Sequence, residues 1–297
     1  MRSRLGLLAL LATAASAAKL PVVIFHGLGD SVLEPGLQGL ATNVSAMLGG
    51  VYVKLLYVGS PAEDSANSFL GAVVDQLAEV CKTQLVGDAR LAGGYNGLGL
   101  SQGGPFLRHL LQSCEEAPPM HTLVSLGGPH GGVAKLPECG GKYSCLVAMS
   151  LVKAGVYTST AQKRVVPAQY FRKADDEATF LAKSSFLPLA NNLVARNAAY
   201  KARILGLDRL VLFSFAQDKV IVPRDSALFS MQSGSTVVPL REQALYTEDW
   251  LGLRTLNESG RLHVGQAPGG HLEFSLAWLA ANVIKPFLSD EAKSATA

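Results

Sequence analysis

The stretch that decides the fold is GYNGLGLSQGGPFLR, residues 94–108. A Gly-rich apolar run leads into Ser101, and the apolar residues after it recur at helical spacing. Within the stretch, Gly99-Leu100-Ser101-Gln102-Gly103 matches G-x-S-x-G, which places a serine on a sharp turn between a strand and a helix. A phosphate-binding loop is disfavoured because no G-K-[ST] or spaced G-x-G-x-x-G accompanies the glycines. The pattern therefore predicts that Ser101 is a nucleophile.

On both sides of this stretch, apolar runs alternate with amphipathic segments. This alternation predicts an α/β fold with a mostly parallel sheet and helices on both faces. Between residues 132 and 205 the alternation stops, and we interpret this segment as a cap-like insertion with short helices. The sequence predicts strands at 20–27, 51–59, 94–100, 121–126, 209–216 and 261–266, and helices at 65–84, directly after Ser101, and at 272–287.

Length and composition limit the class of protein. The chain has 297 residues, of which 48% are hydrophobic and 16% charged, so it is neither disordered nor fibrous. A net charge of +3 without clustered basic residues argues against a nucleic-acid-binding protein. We expect one domain over residues 19–290, interrupted by the insertion, and a polar, frayed tail at 291–297.

The first eighteen residues are typical of a secretory signal peptide. Arg2 and Arg4 precede a short apolar run that ends in small residues at 13–18. That run is too short to cross about 30 Å of hydrocarbon, and no other stretch predicts a transmembrane span. Sequons at Asn43 and Asn257 are candidate glycosylation sites. We expect the protein to enter the secretory pathway and to reach a lysosome, an equivalent vacuole or the medium.

A serine nucleophile needs a histidine base that follows it in the chain. Two histidines occur from the last predicted strand onward. His263 lies inside that strand, whereas His271 lies in a Gly-rich loop before the closing helix. His271 is therefore the predicted base. His26 and His130 lie in Gly-rich turns after strands, and we interpret both as structural.

The orienting acid is predicted from its place at the end of a strand. Asp218 directly follows the apolar run 209–216, at the edge where parallel sheets carry functional groups. Asp225 is the competing candidate, but it is better placed to begin a helix. The backbone N–H groups of Gln102 and Leu28 are the predicted oxyanion donors. The histidines are scattered and the cysteines lack the paired short spacing of metal ligands, so the sequence predicts no metal site and no cofactor.

These residues stand in segments that resemble the palmitoyl-protein thioesterases, lysosomal members of the α/β-hydrolase fold. The resemblance covers roughly residues 20–288 and implies the same triad, Ser101, Asp218 and His271, with the same oxyanion donors. Two features depart from the family pattern: Gly270 stands where an Asp usually precedes the histidine, and Val32-Leu33 replaces a cysteine pair. The matching segments are PVVIFHGLGDS (21–31), GYNGLGLSQGGPFLR (94–108), SLGGPHGGVAKLPEC (125–139), LYTEDWLGL (245–253) and GGHLEF (269–274).

Four cysteines allow three pairings, and the predicted topology favours one. Cys81 and Cys114 both end helices that return to the amino-terminal edge of the sheet, whereas Cys139 and Cys145 follow a strand at the opposite edge. Because a disulfide needs Cα atoms within about 7 Å, pairs across the sheet are excluded. We predict Cys81–Cys114 and Cys139–Cys145, and the resemblance implies the same pairing.

The resemblance implies hydrolysis of palmitoyl thioesters of S-acylated proteins or peptides through an acyl-enzyme. The alternatives are a lipase or general carboxylesterase on the same triad, and a non-catalytic acyl-binding protein. A long acyl chain needs an apolar groove, because each buried CH₂ contributes about 0.8 kcal/mol. We expect Phe180, Phe186 and Leu189 of the insertion to line it.

Overall fold

The computed structural model describes residues 19–136 and 138–289. Its centre is a six-stranded sheet of order β2-β1-β3-β4-β5-β8 in which all neighbouring strands pair in parallel. The predicted signal peptide and tail lie outside the described residues. The strands are β1 (Val22–Phe25), β2 (Val53–Leu56), β3 (Tyr95–Leu100), β4 (Met120–Leu126), β5 (Arg209–Phe215), β6 (Met231–Ser233), β7 (Thr236–Val238) and β8 (Leu262–Ala267), with β6 and β7 forming a separate hairpin.

Helices cover both faces of the sheet because its strands are apolar on both sides. In β1, Val23 and Phe25 belong to the core cluster on one face, and Val22 and Ile24 belong to the cluster on the other. This confirms the predicted α/β class. The α-helices are α1 (Pro35–Met47), α2 (Asp64–Asn67), α3 (Val73–Val80), α4 (Gly103–Ser113), α5 (Tyr143–Leu151), α6 (Ser159–Arg164), α7 (Glu177–Lys183), α8 (Leu187–Ala190), α9 (Ala198–Leu205), α10 (Ala244–Thr247), α11 (Leu253–Glu258) and α12 (Leu276–Leu279). Shorter 3₁₀-helices span Ala89–Leu91, Val166–Tyr170, Arg224–Leu228 and Leu240–Glu242, and π-helices span Cys81–Leu85 and Ala280–Leu288.

The strand order determines where a ligand site forms. From β1 the chain runs outward to β2 and then crosses to β3 on the other side of β1. This reversal opens a crevice at the carboxyl ends of β1 and β3, the place where open α/β sheets bind ligands. The two segments that leave these ends are the loop 26–30 and the turn at Ser101.

Two predicted helices are shorter than the sequence pattern indicated. The predicted helix 65–84 divides into α2 and α3, because Gly71 between them has a φ of +139°, outside the helical region. The predicted helix 272–287 begins only at Leu276. Leu272 has a φ of +57°, and Ser275 caps the helix by accepting a hydrogen bond from the amide of Trp278.

The segment 132–205 packs against the sheet layer. Its side chains Phe180, Phe186 and Ile204 share a core cluster with Phe25 of β1 and Leu210 of β5. This common core is what an insertion within one domain is expected to form.

Both predicted disulfides are present. Cys81 and Cys114 join the end of α3 to the end of α4 with Cα atoms 5.7 Å apart. Cys139 and Cys145 close a short loop after β4, with Cα atoms 5.3 Å apart. The predicted pairing is therefore confirmed.

Candidate active site

Ser101 lies on a sharp turn between β3 and α4. Its φ of +51° is a left-handed conformation that residues with a side chain rarely adopt. A Cβ atom on Gly103 would overlap the carbonyl group of Phe25, and one on Gly99 would lie 2.5 Å from the Cα atom of Gly104. Both flanking glycines of the sequence pattern are therefore required by close backbone packing.

His271 joins Ser101 to Asp218 through two hydrogen bonds. Its Nε2 atom lies 2.8 Å from Oγ of Ser101, and its Nδ1 atom lies 2.6 Å from Oδ2 of Asp218. Since the carboxylate accepts, Nδ1 carries the proton and Nε2 is left to accept the hydrogen bond from the Ser101 hydroxyl. The structure thus brings together the three side chains that the sequence analysis singled out, in the arrangement of a serine hydrolase triad.

The loop after β5 holds Asp218 in its ionised form. Oδ1 accepts hydrogen bonds from the amides of Val220 and Ile221, each at 2.9 Å. Burial raises the pKa of this carboxyl, but the hydrogen bond and charge of His271 and the two amides together outweigh it. The pKa of Asp218 therefore lies below its ordinary value. An ionised Asp218 keeps the His271 proton on Nδ1.

Two segments beside Ser101 carry the candidate oxyanion donors. Leu28 belongs to the turn after β1, and a Cβ atom on the adjacent Gly27 would lie 3.0 Å from Cβ of Ser101. Gln102 directly precedes α4, where backbone amides lack acceptors within the helix. A cavity of about 410 Å³ opens beside Ser101, and its walls are formed by Gly27, Leu28, Asp30, Phe69, Ser101, Glu138, Cys139, Gly140, Lys142, Val220, His271 and Leu272.

The competing candidates lie apart from this hydrogen-bonded chain. The carboxylate of Asp225, on the 3₁₀-helix Arg224–Leu228, is half-exposed and lies 3.9 Å from Arg224. His263 packs against the ring of Phe287 with ring centroids 5.0 Å apart. The other two histidines have structural partners: His26 bonds to Asp64, and His130 bonds to Ser125.

The packing corrects the expectation for the acyl groove. Phe180 and Phe186 are fully buried. The ring of Phe186 meets that of Phe106 edge to face at 5.6 Å, so it fills the core. Leu189 is half-buried, and among the described residues none of these three lines the cavity at Ser101. The apolar composition of the insertion does not indicate which of its side chains face the cavity.

Sequence reasoning missed much of the cavity lining, including Phe69 and Lys142. Phe69 follows the short α2, where the sequence predicted a continuous helix. Lys142 lies inside the loop closed by Cys139 and Cys145, and its Nζ atom donates a hydrogen bond to the carbonyl of Gly29. The short spacing of these cysteines, just after a strand that ends near the site, was the available signal.

Other predicted sites are placed as follows. Both sequon asparagines lie on helices. The side-chain amide of Asn43 donates to the carbonyl of Gly39, and that of Asn257 donates to the hydroxyl of Tyr246.

Across residues 19–136 and 138–289, no three His, Cys, Asp or Glu side chains are grouped as metal ligands. Within the same ranges, no helix has the length and apolar character that crossing a bilayer requires.

Comparison with known proteins identifies the family of the chain. Residues 21–271 match the family model described as palmitoyl protein thioesterase. The chain is 36% identical to palmitoyl-protein thioesterase 1 of Caenorhabditis elegans, over 91% of this chain and 92% of that protein. It is 34% identical to palmitoyl-protein thioesterase 3 of Dictyostelium discoideum, over 88% of each chain. It is 28% identical to a Drosophila melanogaster protein named lysosomal thioesterase PPT2 homolog, over 97% of this chain and all of that protein. The chain therefore belongs to the palmitoyl protein thioesterase family.

Proposed function

We propose that this protein hydrolyses thioesters between long-chain fatty acyl groups, palmitoyl above all, and the cysteines of S-acylated proteins or peptides. The observation that carries the proposal is the chain of hydrogen bonds from Ser101 through His271 to Asp218, open to a cavity. Membership in the palmitoyl protein thioesterase family supports the thioester as the substrate.

In the first half of the reaction, Oγ of Ser101 attacks the thioester carbonyl carbon while Nε2 of His271 takes the hydroxyl proton. The carbonyl oxygen becomes an oxyanion, which the backbone amides of Leu28 and Gln102 stabilise. When the tetrahedral intermediate collapses, the C–S bond breaks. The thiolate receives the proton from His271 and leaves as a free cysteine thiol.

In the second half, water replaces the thiol. His271 removes a proton from the water, and the resulting hydroxide attacks the acyl carbon of the Ser101 ester. Collapse breaks the ester bond, Ser101 regains its proton from His271, and a free fatty acid leaves. Asp218 remains ionised throughout and stabilises the imidazolium that forms in each half.

The acyl chain needs apolar contacts near Ser101. Four side chains of the cavity are apolar, and we assign them to the acyl group: Leu28, Phe69, Val220 and Leu272. Each CH₂ removed from water there contributes about 0.8 kcal/mol, which favours long chains.

The cellular route of the protein is inferred from its disulfides and from the name of a relative. Disulfides persist in the oxidising secretory pathway, and the structure holds two. A relative from Drosophila melanogaster is named a lysosomal thioesterase. We infer that the chain follows the secretory route to a lysosome or an equivalent vacuole.

The test is a time course on a palmitoyl-cysteine peptide, with the matched palmitoyl-serine peptide alongside. Wild type should release free thiol and Ser101→Ala should not, while both bind the peptide. Faster cleavage of the oxyester than of the thioester would contradict the proposal and indicate a carboxylesterase. Absence of cleavage of either ester would contradict hydrolase activity itself.

A further inference from the structure

The side chain of Gln102 joins three parts of the molecule. Its Nε2 atom donates a hydrogen bond to the backbone carbonyl of Ser68 at 3.1 Å. Its Oε1 atom accepts one from the hydroxyl of Tyr170, in the insertion, at 2.8 Å. Both the nitrogen and the oxygen of the Gln102 amide are therefore bonded, which fixes the orientation of the amide.

Ser68 continues this connection to the loop after β1. Its Oγ atom accepts a hydrogen bond from the amide of Gly29 at 2.7 Å and donates one to the carbonyl of Ser65 at 2.7 Å. The hydroxyl of Ser65 in turn donates to the carbonyl of Gly29 at 2.9 Å. Both backbone groups of Gly29 are thus bonded to one short segment, residues 65–68.

These contacts are shielded from water. Gln102 is 3%, Ser68 1% and Tyr170 4% exposed. Burial raises the pKa of the Tyr170 phenol, so its hydroxyl stays a donor. Hydrogen bonds in such surroundings are electrostatically stronger than in water, and loss of one partner is costly.

Each end of this connection adjoins a predicted oxyanion donor. Gly29 directly follows Leu28, whose amide is the first donor. Gln102 itself supplies the second donor through its backbone amide. We propose that Ser68 and Tyr170 are positioning residues that set the separation of the Leu28 and Gln102 amides for the oxyanion. This inference rests on the proposed function.

The proposed role predicts a kinetic effect of a particular kind. Donors aimed at the oxyanion stabilise the transition state more than the bound substrate, so misplacing them lowers kcat and leaves KM nearly unchanged. Loss of a whole donor costs about 10²–10³-fold in kcat elsewhere, and a displaced donor should cost about 10- to 100-fold.

The experiment compares Tyr170→Phe and Ser68→Ala with two controls. Tyr157→Phe removes another insertion hydroxyl, which bonds to Phe171 and Lys173. Ser113→Ala removes a hydroxyl at the far end of α4. Each variant is assayed on a palmitoyl-thioester and with two inhibitors: a palmitoyl trifluoromethyl ketone, which forms a tetrahedral adduct, and a non-hydrolysable palmitoyl thioether.

In Tyr170→Phe and Ser68→Ala, kcat/KM and affinity for the ketone should fall by the same factor, while affinity for the thioether holds. Both controls should behave as wild type. Unchanged kcat, or equal loss of affinity for both inhibitors, would overturn the inference. Melting temperatures verify folding, and the isosteric Tyr170→Phe decides the matter if Ser68→Ala is unfolded.

A double-mutant cycle sharpens the test. Tyr170 acts only through the Gln102 side chain in this scheme, so Tyr170→Phe should cause no further loss of kcat in a Gln102→Met background. Additive losses would indicate general destabilisation and contradict the proposal. A wild-type protein inert toward the thioester refutes the proposed function, whereas an active wild type with unaffected variants refutes only the positioning role.

Discussion

The Nε2 atom of His26 lies 2.8 Å from Oδ2 of Asp64, and both side chains are buried directly beneath the loop that carries Leu28. The Nδ1 atom of His26 lies 2.9 Å from the carbonyl oxygen of Gly27. Both ring nitrogens thus face oxygen acceptors, and the protonated ring can donate to both of them. Asp64 also accepts from the amides of Val32 and Val58. This ion pair anchors the loop 26–30.

The ion pair predicts a stability that declines as pH rises. Burial lowers the pKa of His26, but the hydrogen bond and charge of Asp64 outweigh it and raise the pKa above 6.5. The ion pair therefore contributes its full stabilisation below about pH 6.5, and this stabilisation is lost as the pH rises through the raised pKa of His26. Urea unfolding at pH 5 to 8 should show that His26→Gln costs more stability at the acidic end. His263→Gln should show the opposite slope, because burial and Arg209 lower the pKa of His263. If the loss of stability had the same pH dependence in both variants, the ion pair would be contradicted.

Replacing Ser101, His271 or Asp218 by Ala should each lower kcat by about 10³-fold or more, because triad members act as a unit. Asp225→Ala is the matched control and should keep near-normal kcat. The measurement is thioesterase kinetics on variants whose melting temperature is verified. Retained activity in Asp218→Ala together with loss in Asp225→Ala would reverse the assignment of the acid.

The two disulfides should have separable effects. Cys81 and Cys114 are 33 positions apart and Cys139 and Cys145 are 6 apart. Chain entropy therefore predicts losses of about 4 and about 2 kcal/mol on replacement of each pair by Ala. Only the second pair borders the cavity, so only its loss should change the kinetics. Chemical denaturation and initial rates measure the two effects, and altered kinetics after loss of Cys81–Cys114 would contradict this division.

Gly270 should tolerate an asparagine better than an aspartate. A Cβ atom there would lie 3.0 Å from Cδ of Glu273, whose Oε2 accepts the Gly270 amide at 2.8 Å. An aspartate would place a second carboxylate against the first and displace the His271 loop. Thioesterase kinetics should show that Gly270→Asp lowers kcat, that Gly270→Asn lowers it less, and that Gly270→Asp/Glu273→Gln recovers it. No recovery would mean that the loss is steric.

Phe186→Ala should act on stability and not on selectivity. The ring is fully buried, so its truncation should cost about 3–5 kcal/mol. The folded fraction of this variant should hydrolyse palmitoyl and butyryl thioesters with the same relative loss of rate. Leu272→Ala, at the wall of the cavity, should instead weaken cleavage of the palmitoyl substrate selectively. A selective loss in Phe186→Ala would restore the groove that the sequence predicted.

The triad was predictable because its signals are local. Ser101 is marked by glycines that its turn requires, and Asp218 and His271 each follow a strand that sequence patterns reveal. The cavity walls were not predictable, because they depend on contacts between distant segments. The amphipathic pattern of 65–84 continues across Gly71, where the backbone leaves the helix and brings Phe69 to the cavity. Phe186 of the insertion fills the core, whereas Phe69, which follows α2, lines the cavity, and the residue type alone does not distinguish these two roles.

The distances along the chain between the triad members have a consequence for biogenesis. Ser101 and His271 are separated by 170 positions, and His271 follows β8, the last strand of the sheet in chain order, which lies at one edge. Pairing of segments so far apart is slow relative to local helix formation, because the intervening chain must be ordered first. A nascent polypeptide therefore carries no hydrolytic capacity until its final strand has docked. Enzyme activity thus reports completed folding of the sheet.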